Sequence, residues 1–341
     1  MSGALLRAVL RRRPARIRYV SPVPDQAVYR EVEREFGLVA PPITLHSPHP
    51  LALAAGWVML RESLVVTTSA SRRDKEVVAA AVSLGNACPY CVAVHSATLH
   101  GLAPDGVGRL LAAGRLERIQ DAEVRRLAGW AHDTGRRELA RPAALPDHAA
   151  VAVVFHYINR MVTVFLDDSP VPAQVPARVR PLVLRTLGRF LRPAALARHA
   201  PGTSLSLLPP APPPADLGWA EGSPVLTDAF SRVYAAGDEI GRQSVPESVR
   251  ALVEAELAAW DGRPRGISRG WVDTALLDCP DADRAAGRLA LLVALAPYQV
   301  DEQVVAEFRR TDPRDATLVG LASWSSLTAA RRVGSWLGRP T

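Results

Sequence analysis

The feature that most constrains this chain is a succession of apolar segments with helical rather than strand periodicity, each closed by its own stop signal. Val28, Val32 and Phe36 recur every four residues between a capping Asp25 and Gly37, the signature of a helix with cap and terminator. A proline-rich connection, Pro41 to Pro50, leads to a second apolar helix through Leu53, Trp57 and Leu60. Ser71 precedes a helix from Arg72 to Leu84 that turns Val77, Val78, Ala81 and Val82 inward, with Gly85-Asn86 as a left-handed stop. The next helix opens at Cys88-Pro89, because proline suits the first helical position, where its missing N–H has no partner anyway. Gly101 ends it. Further helices are predicted from Asp105 to Ala113, Asp121 to Thr134 and Asp147 to Leu166. The strand-like run Leu64-Val65-Val66-Thr67-Thr68 has no partner of matching alternation and reads as loop or helix end. A chain patterned in this way folds as all-α.

With 341 residues, 48% of them hydrophobic, the chain is long enough for two buried cores. Prolines crowd the stretch from Asp167 to Pro224, which reads as a connector holding one helix near Leu182 to Leu196. The expected organisation is a basic tail (1–21), an active unit (22–166), the connector (167–224) and a second unit (225–341). Against a net charge of +7, Lys75 is the single lysine among 41 basic residues. That bias toward arginine points to GC-rich coding rather than to phosphate contacts, so no nucleic-acid partner is expected. The Arg11-Arg12-Arg13 run reads as part of a solvated tail. The most apolar stretch, Val151 to Leu166, is interrupted by His156, Asn159 and Arg160 and reads as a core helix, not a membrane span. Three cysteines, Cys88, Cys91 and Cys279, are too few for a secreted disulfide scaffold and fit a reducing cytoplasm.

The halves share a degenerate repeat. Pro89-Tyr90-x-Val92 returns as Pro297-Tyr298-x-Val300, and Asp121-Ala122, Leu127-Ala128, Trp130 and Thr134 return as Asp315-Ala316, Leu321-Ala322, Trp324 and Thr328. Under this alignment Cys88, Cys91, His95 and Glu76 fall on Ala296, Gln299, Gln303 and Arg284. The apolar framework persists while the reactive side chains are lost, which implies one working site and one silent copy.

Those four residues can form a thiol site. Cysteines at i and i+3 lie on one side of a helical turn, close enough for a reversible disulfide. The positive end of the helix dipole favours the reactive thiolate. His95, one turn beyond Cys91, can take the thiol proton, and Glu76 on the preceding helix can orient the imidazole directly or through a water.

The pattern Glu76-x11-Cys88-x2-Cys91-x3-His95, followed by Phe155-His156-Tyr157-Ile158-Asn159-Arg160-Met161, resembles the carboxymuconolactone decarboxylase superfamily, in its alkylhydroperoxidase D-like branch. The similarity covers Pro22 to Leu166 well and the second half weakly. It implies an all-helical fold with an internal degenerate duplication, and reduction of hydrogen peroxide or organic hydroperoxides. It further implies that Cys91 attacks the peroxide, Cys88 resolves the sulfenic acid as a disulfide, and a Glu76–His95 relay activates the thiol. A lipoyl-carrying or thioredoxin-like protein, or a small dithiol, would reopen the disulfide, with no bound cofactor or metal, in a homo-oligomer. One departure is Tyr90, where alkylhydroperoxidase D proteins often carry a relay histidine; a tyrosine is a poor base at neutral pH.

Other readings of the same residues are open. A decarboxylase or isomerase on this scaffold would work without the cysteine pair, and a non-catalytic redox sensor would use the disulfide to change an interaction. A zinc half-site lacks a second ligand pair. The Cys-Pro-Tyr-Cys segment is similar to that of glutaredoxins, which need a preceding strand where this chain has a helix. His156, Asn159 and Arg160 are read as helix-packing polar groups, and Cys279 as an ordinary thiol.

Overall fold

The computed structural model describes residues 17–338 apart from Asp25 and Ala173. The Asp25 cap and the Arg11–Arg13 run therefore lie outside the described residues, while Ile17 forms an antiparallel bridge with Leu166 and Arg18 N–H donates to Phe165 O at 2.7 Å. Helix α1 (Ala27–Phe36) closes on Gly37, whose φ of 98° lets its N–H reach back to Glu33 O. Helix α2 (Pro50–Leu60) continues into a π-helical turn, Arg61–Val65, and stops at an extended Val66, so the strand-like run is a helix end. Ser71 Oγ accepts from Asp74 N–H at the start of α3 (Arg72–Gly85). Helix α4 (Pro89–Leu102) begins with Cys88 at its cap and Pro89 in the first turn.

Helices α5 (Val107–Ala112), α6 (Ala122–Asp133) and α7 (Pro146–Phe165) follow, with the Asp121 carboxylate accepting from the N–H groups of Glu123 and Val124. The helix in the proline-rich connector is α8 (Arg180–Leu196). The remaining long helices are α9 (Pro224–Ser244), α10 (Glu247–Ala259), α11 (Arg284–Leu295), α12 (Glu302–Thr311) and α13 (Asp315–Gly334). The fold is all-α, and among the described residues the Ile17–Leu166 bridge is the sole β pairing.

Helix α7 is buried along almost its whole length, its apolar residues in the core and its His156, Asn159 and Arg160 hydrogen-bonded there. By length and composition alone it could cross a membrane, but α3 and α13 pack against it inside the core. One continuous apolar core joins both halves. The repeat identities align α6 with the start of α13. In the structure α13 has the twenty-residue length and the burial of α7, its packing partner, whereas α6 is a half-buried helix of twelve residues.

Two glycines do more than mark helix ends. Gly101 lies inside α4, where a β-carbon would come within 2.2 Å of Gly188 O on α8; Gly85 ends α3 against His132 O at 2.4 Å by the same measure. Both permit close backbone approach. The left-handed residue of the α3–α4 turn is Ala87, with φ of 51°, a conformation that costs a non-glycine residue roughly 1–2 kcal/mol. Strain of this kind concentrates at functional sites.

Candidate active site

The strained turn sets the reactive helix. Cys88 N–H donates to Ser83 O at 2.9 Å, which locks the end of α3 to the cap of α4. Cys88 and Cys91, at 1% and 2% exposure, are free thiols in the space between α3, α4 and α7. The His95–Glu76 pair expected from spacing forms directly, with His95 Nδ1 2.7 Å from Glu76 Oε2. The carboxylate's other oxygen accepts from Arg72 Nε at 2.9 Å. Burial pushes the Glu76 carboxyl up, but the charges of Arg72 and His95 and their hydrogen bonds outweigh it and hold the group below its ordinary value. Glu76 is thus a buried carboxylate held between a guanidinium and an imidazole. Phe155 packs its ring edge-to-face on the imidazole at 4.6 Å and limits its orientation. With Nδ1 engaged, Nε2 is the ring nitrogen open to a reactant.

The two thiols are not equivalent. The Cys91 S–H bond to Cys88 lowers the Cys88 pKa; burial opposes it, while the Cys91 backbone N–H and Thr163 hydroxyl add to the lowering. Cys91 is raised well above the ordinary thiol value, first by burial and then by its donation to Cys88 and by the Cys88 charge. Of the two sulfurs Cys88 is therefore the more acidic, and Cys91 is the hydrogen-bond donor between them. Tyr90, buried at the first turn, is pushed above its ordinary phenol value by burial and by both sulfurs, so it is no base at neutral pH.

Sequence reasoning assigned His156 and Asn159 to helix packing, Asn86 to a helix stop and Thr134 to the repeat. These four form one chain of hydrogen bonds that ends at Cys91. Thr134 Oγ1 lies 3.0 Å from His156 Nε2, and Asn86 Nδ2 reaches both His156 Nδ1 at 3.1 Å and Asn159 Oδ1 at 2.9 Å. Asn159 Nδ2 donates to Ser83 Oγ at 3.1 Å, and an Asn159 hydrogen bond lowers the Cys91 pKa. Burial, and then the Arg160 charge, push His156 well below its ordinary value, so it is neutral and serves as the anchor of an oriented amide pair. Arg160 instead ties the halves together, donating to Ala294 O at 2.9 Å and lying over the Trp260 ring.

Cys91 and His95 line one small cavity of about 110 Å³, walled by Phe36, Leu60, Phe155, Ile158 and Leu191. Cys88 lines a separate cleft of about 760 Å³ along α4, α5 and α8. Cys279 is a buried thiol in the second half, raised by burial, distant in sequence from both spaces.

Fold and site together define an all-helical protein with a buried dithiol beside a carboxylate–imidazole pair. Among curated proteins, a Mycobacterium tuberculosis protein named alkyl hydroperoxide reductase is 36% identical over 316 residues, covering 91% of this chain and 90% of that one. The chain belongs to the family of that alkyl hydroperoxide reductase. No family profile matches the chain. No solved structure matches it.

Proposed function

We propose that this protein is a thiol-dependent peroxidase that reduces hydrogen peroxide or organic hydroperoxides through a Cys88/Cys91 dithiol–disulfide cycle, with the second half of the chain as its silent copy. The observation that carries the reading is a pair of buried free thiols on the first turn of one helix, one of which borders a small apolar cavity together with His95. Such a cavity suits a peroxide with a short apolar tail. When the Cys91 proton passes to Cys88, Cys91 becomes the nucleophile. Its sulfur attacks the terminal peroxide oxygen, the O–O bond breaks, and the leaving alkoxide takes a proton from His95, whose charged form the Glu76 carboxylate supports. Cys88 then attacks the Cys91 sulfenic acid, releasing water and closing the disulfide. An external dithiol restores both thiols. The kinship with a protein named alkyl hydroperoxide reductase supports a peroxide-reducing role.

The test is turnover of tert-butyl hydroperoxide with a dithiol supplied, alongside the intact mass before and after peroxide. Sustained consumption, with loss of two hydrogens confined to the peptide holding Cys88 and Cys91, is the expected result. A single stoichiometric oxidation would leave the redox sensor as the better reading. No mass change at that peptide would end the proposal.

A further inference from the structure

The two sulfurs open onto different spaces, and the spaces differ in chemistry. The cavity shared by Cys91 and His95 is small and walled by apolar side chains. The cleft beside Cys88 is several times larger and carries His100 on α4, Arg109 on α5 and Arg185 on α8, with no acidic side chain along it. Both arginines are exposed, and among the described residues neither makes an ion pair or hydrogen bond. Ser96, 5% exposed, also lines the cleft, and its hydroxyl has no hydrogen-bond partner. A buried orphan hydroxyl and two unpaired cations around one sulfur are what an anionic, hydrogen-bonding ligand would satisfy.

We infer that the Cys88 cleft is the reductant site, and that it takes a small dithiol bearing a carboxylate. This rests on the dithiol cycle proposed above and adds a direction to it: peroxide meets Cys91 from one side, reductant meets Cys88 from the other. The volume lies in the range of small-molecule sites. The reductant's thiolate attacks Cys88 of the disulfide, the Cys88–Cys91 bond breaks, and Cys91 leaves as a thiolate held by its Asn159 hydrogen bond. The reductant's second thiol then attacks its own sulfur in the mixed disulfide and frees Cys88. Two electrons pass from dithiol to disulfide, and the two thiol protons end on the cysteine pair.

Dihydrolipoate and dihydrolipoamide carry the same dithiol and differ in a carboxylate against a neutral amide, so they isolate the charge term. The disulfide is prepared with diamide, which makes the reductive half-reaction independent of whether peroxide oxidises the protein. At low ionic strength the carboxylate form is expected to reduce the wild-type disulfide about tenfold faster, as two exposed cations acting on one anion would allow. That ratio should approach one in R109Q/R185Q and in high salt. The ratio is internal to each protein, so a loss of folded material cancels from it. Equal rates with the wild type, or a ratio that survives in the double variant, would overturn the assignment. A protein that diamide oxidises and peroxide does not would instead defeat the peroxidase reading and leave the cleft to be judged on the ratio alone.

Discussion

At the scale of single residues, the order of acidity within the dithiol decides how the site works. Cys88 is the more acidic sulfur and Cys91 the less, so attack on peroxide by Cys91 requires that its proton first be passed on. Cys91→Ser is expected to lower peroxide consumption by at least about 100-fold, the scale on which removal of a nucleophile acts. Cys88→Ser should stop turnover after one event and leave a sulfenic acid at Cys91, detectable by dimedone and mass. Exchange of the two phenotypes would reverse the assignment. Asn159 gives a finer test, because its hydrogen bond is what lowers the Cys91 pKa. In the Cys88→Ser background, Asn159→Ala should move the alkylation profile of Cys91 to higher pH; an unmoved profile would remove Asn159 from the site. That Cys91 and His95 line one cavity was legible in the sequence, since spacing along α4 fixes which side chains share a face; the His95–Glu76 contact, between two helices, came from placing Glu76 on the preceding one. The Thr134–His156–Asn86–Asn159 chain was not legible, because it joins the ends of α3 and α6 to the middle of α7 and each member alone is an ordinary polar group.

At the scale of elements, α4 is gripped by its neighbours through glycines. A β-carbon on Gly188 of α8 would lie 1.9 Å from Ala97 O of α4, and one on Gly108 of α5 would lie 2.4 Å from Ser96 O. Backbone carbonyls cannot swing aside as side chains do, so Gly188→Ala must push α8 away from α4. The expected cost is about 1–3 kcal/mol, read as a lower urea midpoint with little change in slope. Gly129, with nothing within 4 Å of its would-be β-carbon, is the control: alanine there should be neutral or stabilising. An unchanged midpoint for Gly188→Ala would show that the contact is looser than drawn. Helix positions followed well from caps and prolines, as at Asp121, Ser71 and Pro89, because those signals are local. Gly85 and Gly101 were read as terminators alone; α3 does end at Gly85 and α4 one residue past Gly101, but a glycine that ends a helix and one that admits another backbone look alike in sequence. Ala87 gave no signal at all, since the preference for glycine at positive φ is there overridden by the fold around it.

At the scale of the whole molecule, both halves are fastened across the core by buried polar groups. The Tyr157 hydroxyl, on α7, lies 2.8 Å from both His46 Nε2 and Ser323 Oγ of α13. The composition and apolar patterning foretold an all-α protein, but not that the halves would share one core through such a link, because its three members lie more than a hundred residues apart. The link also sets a pH limit. Burial lowers the His46 pKa from 6.5 to about 4, so the folded chain holds this imidazole neutral where the unfolded chain would protonate it. A depressed folded pKa makes a contribution that is fully present above pH 6.5 and is lost progressively as the pH falls toward 4. Linkage over that shift gives a loss of about 2 kcal/mol between pH 8 and pH 5 from His46, and His156, also held well below 6.5, adds to it. The buried carboxylates Glu35 and Glu76, with lowered values, contribute mainly below about pH 4.5 and do not account for a decline in this window. Urea midpoints measured from pH 8 to pH 5 should fall, and His46→Gln, whose amide keeps a hydrogen-bonding group near Tyr157, should flatten the decline. If the variant kept the wild-type slope, proton uptake at His46 would not be what weakens the fold in acid.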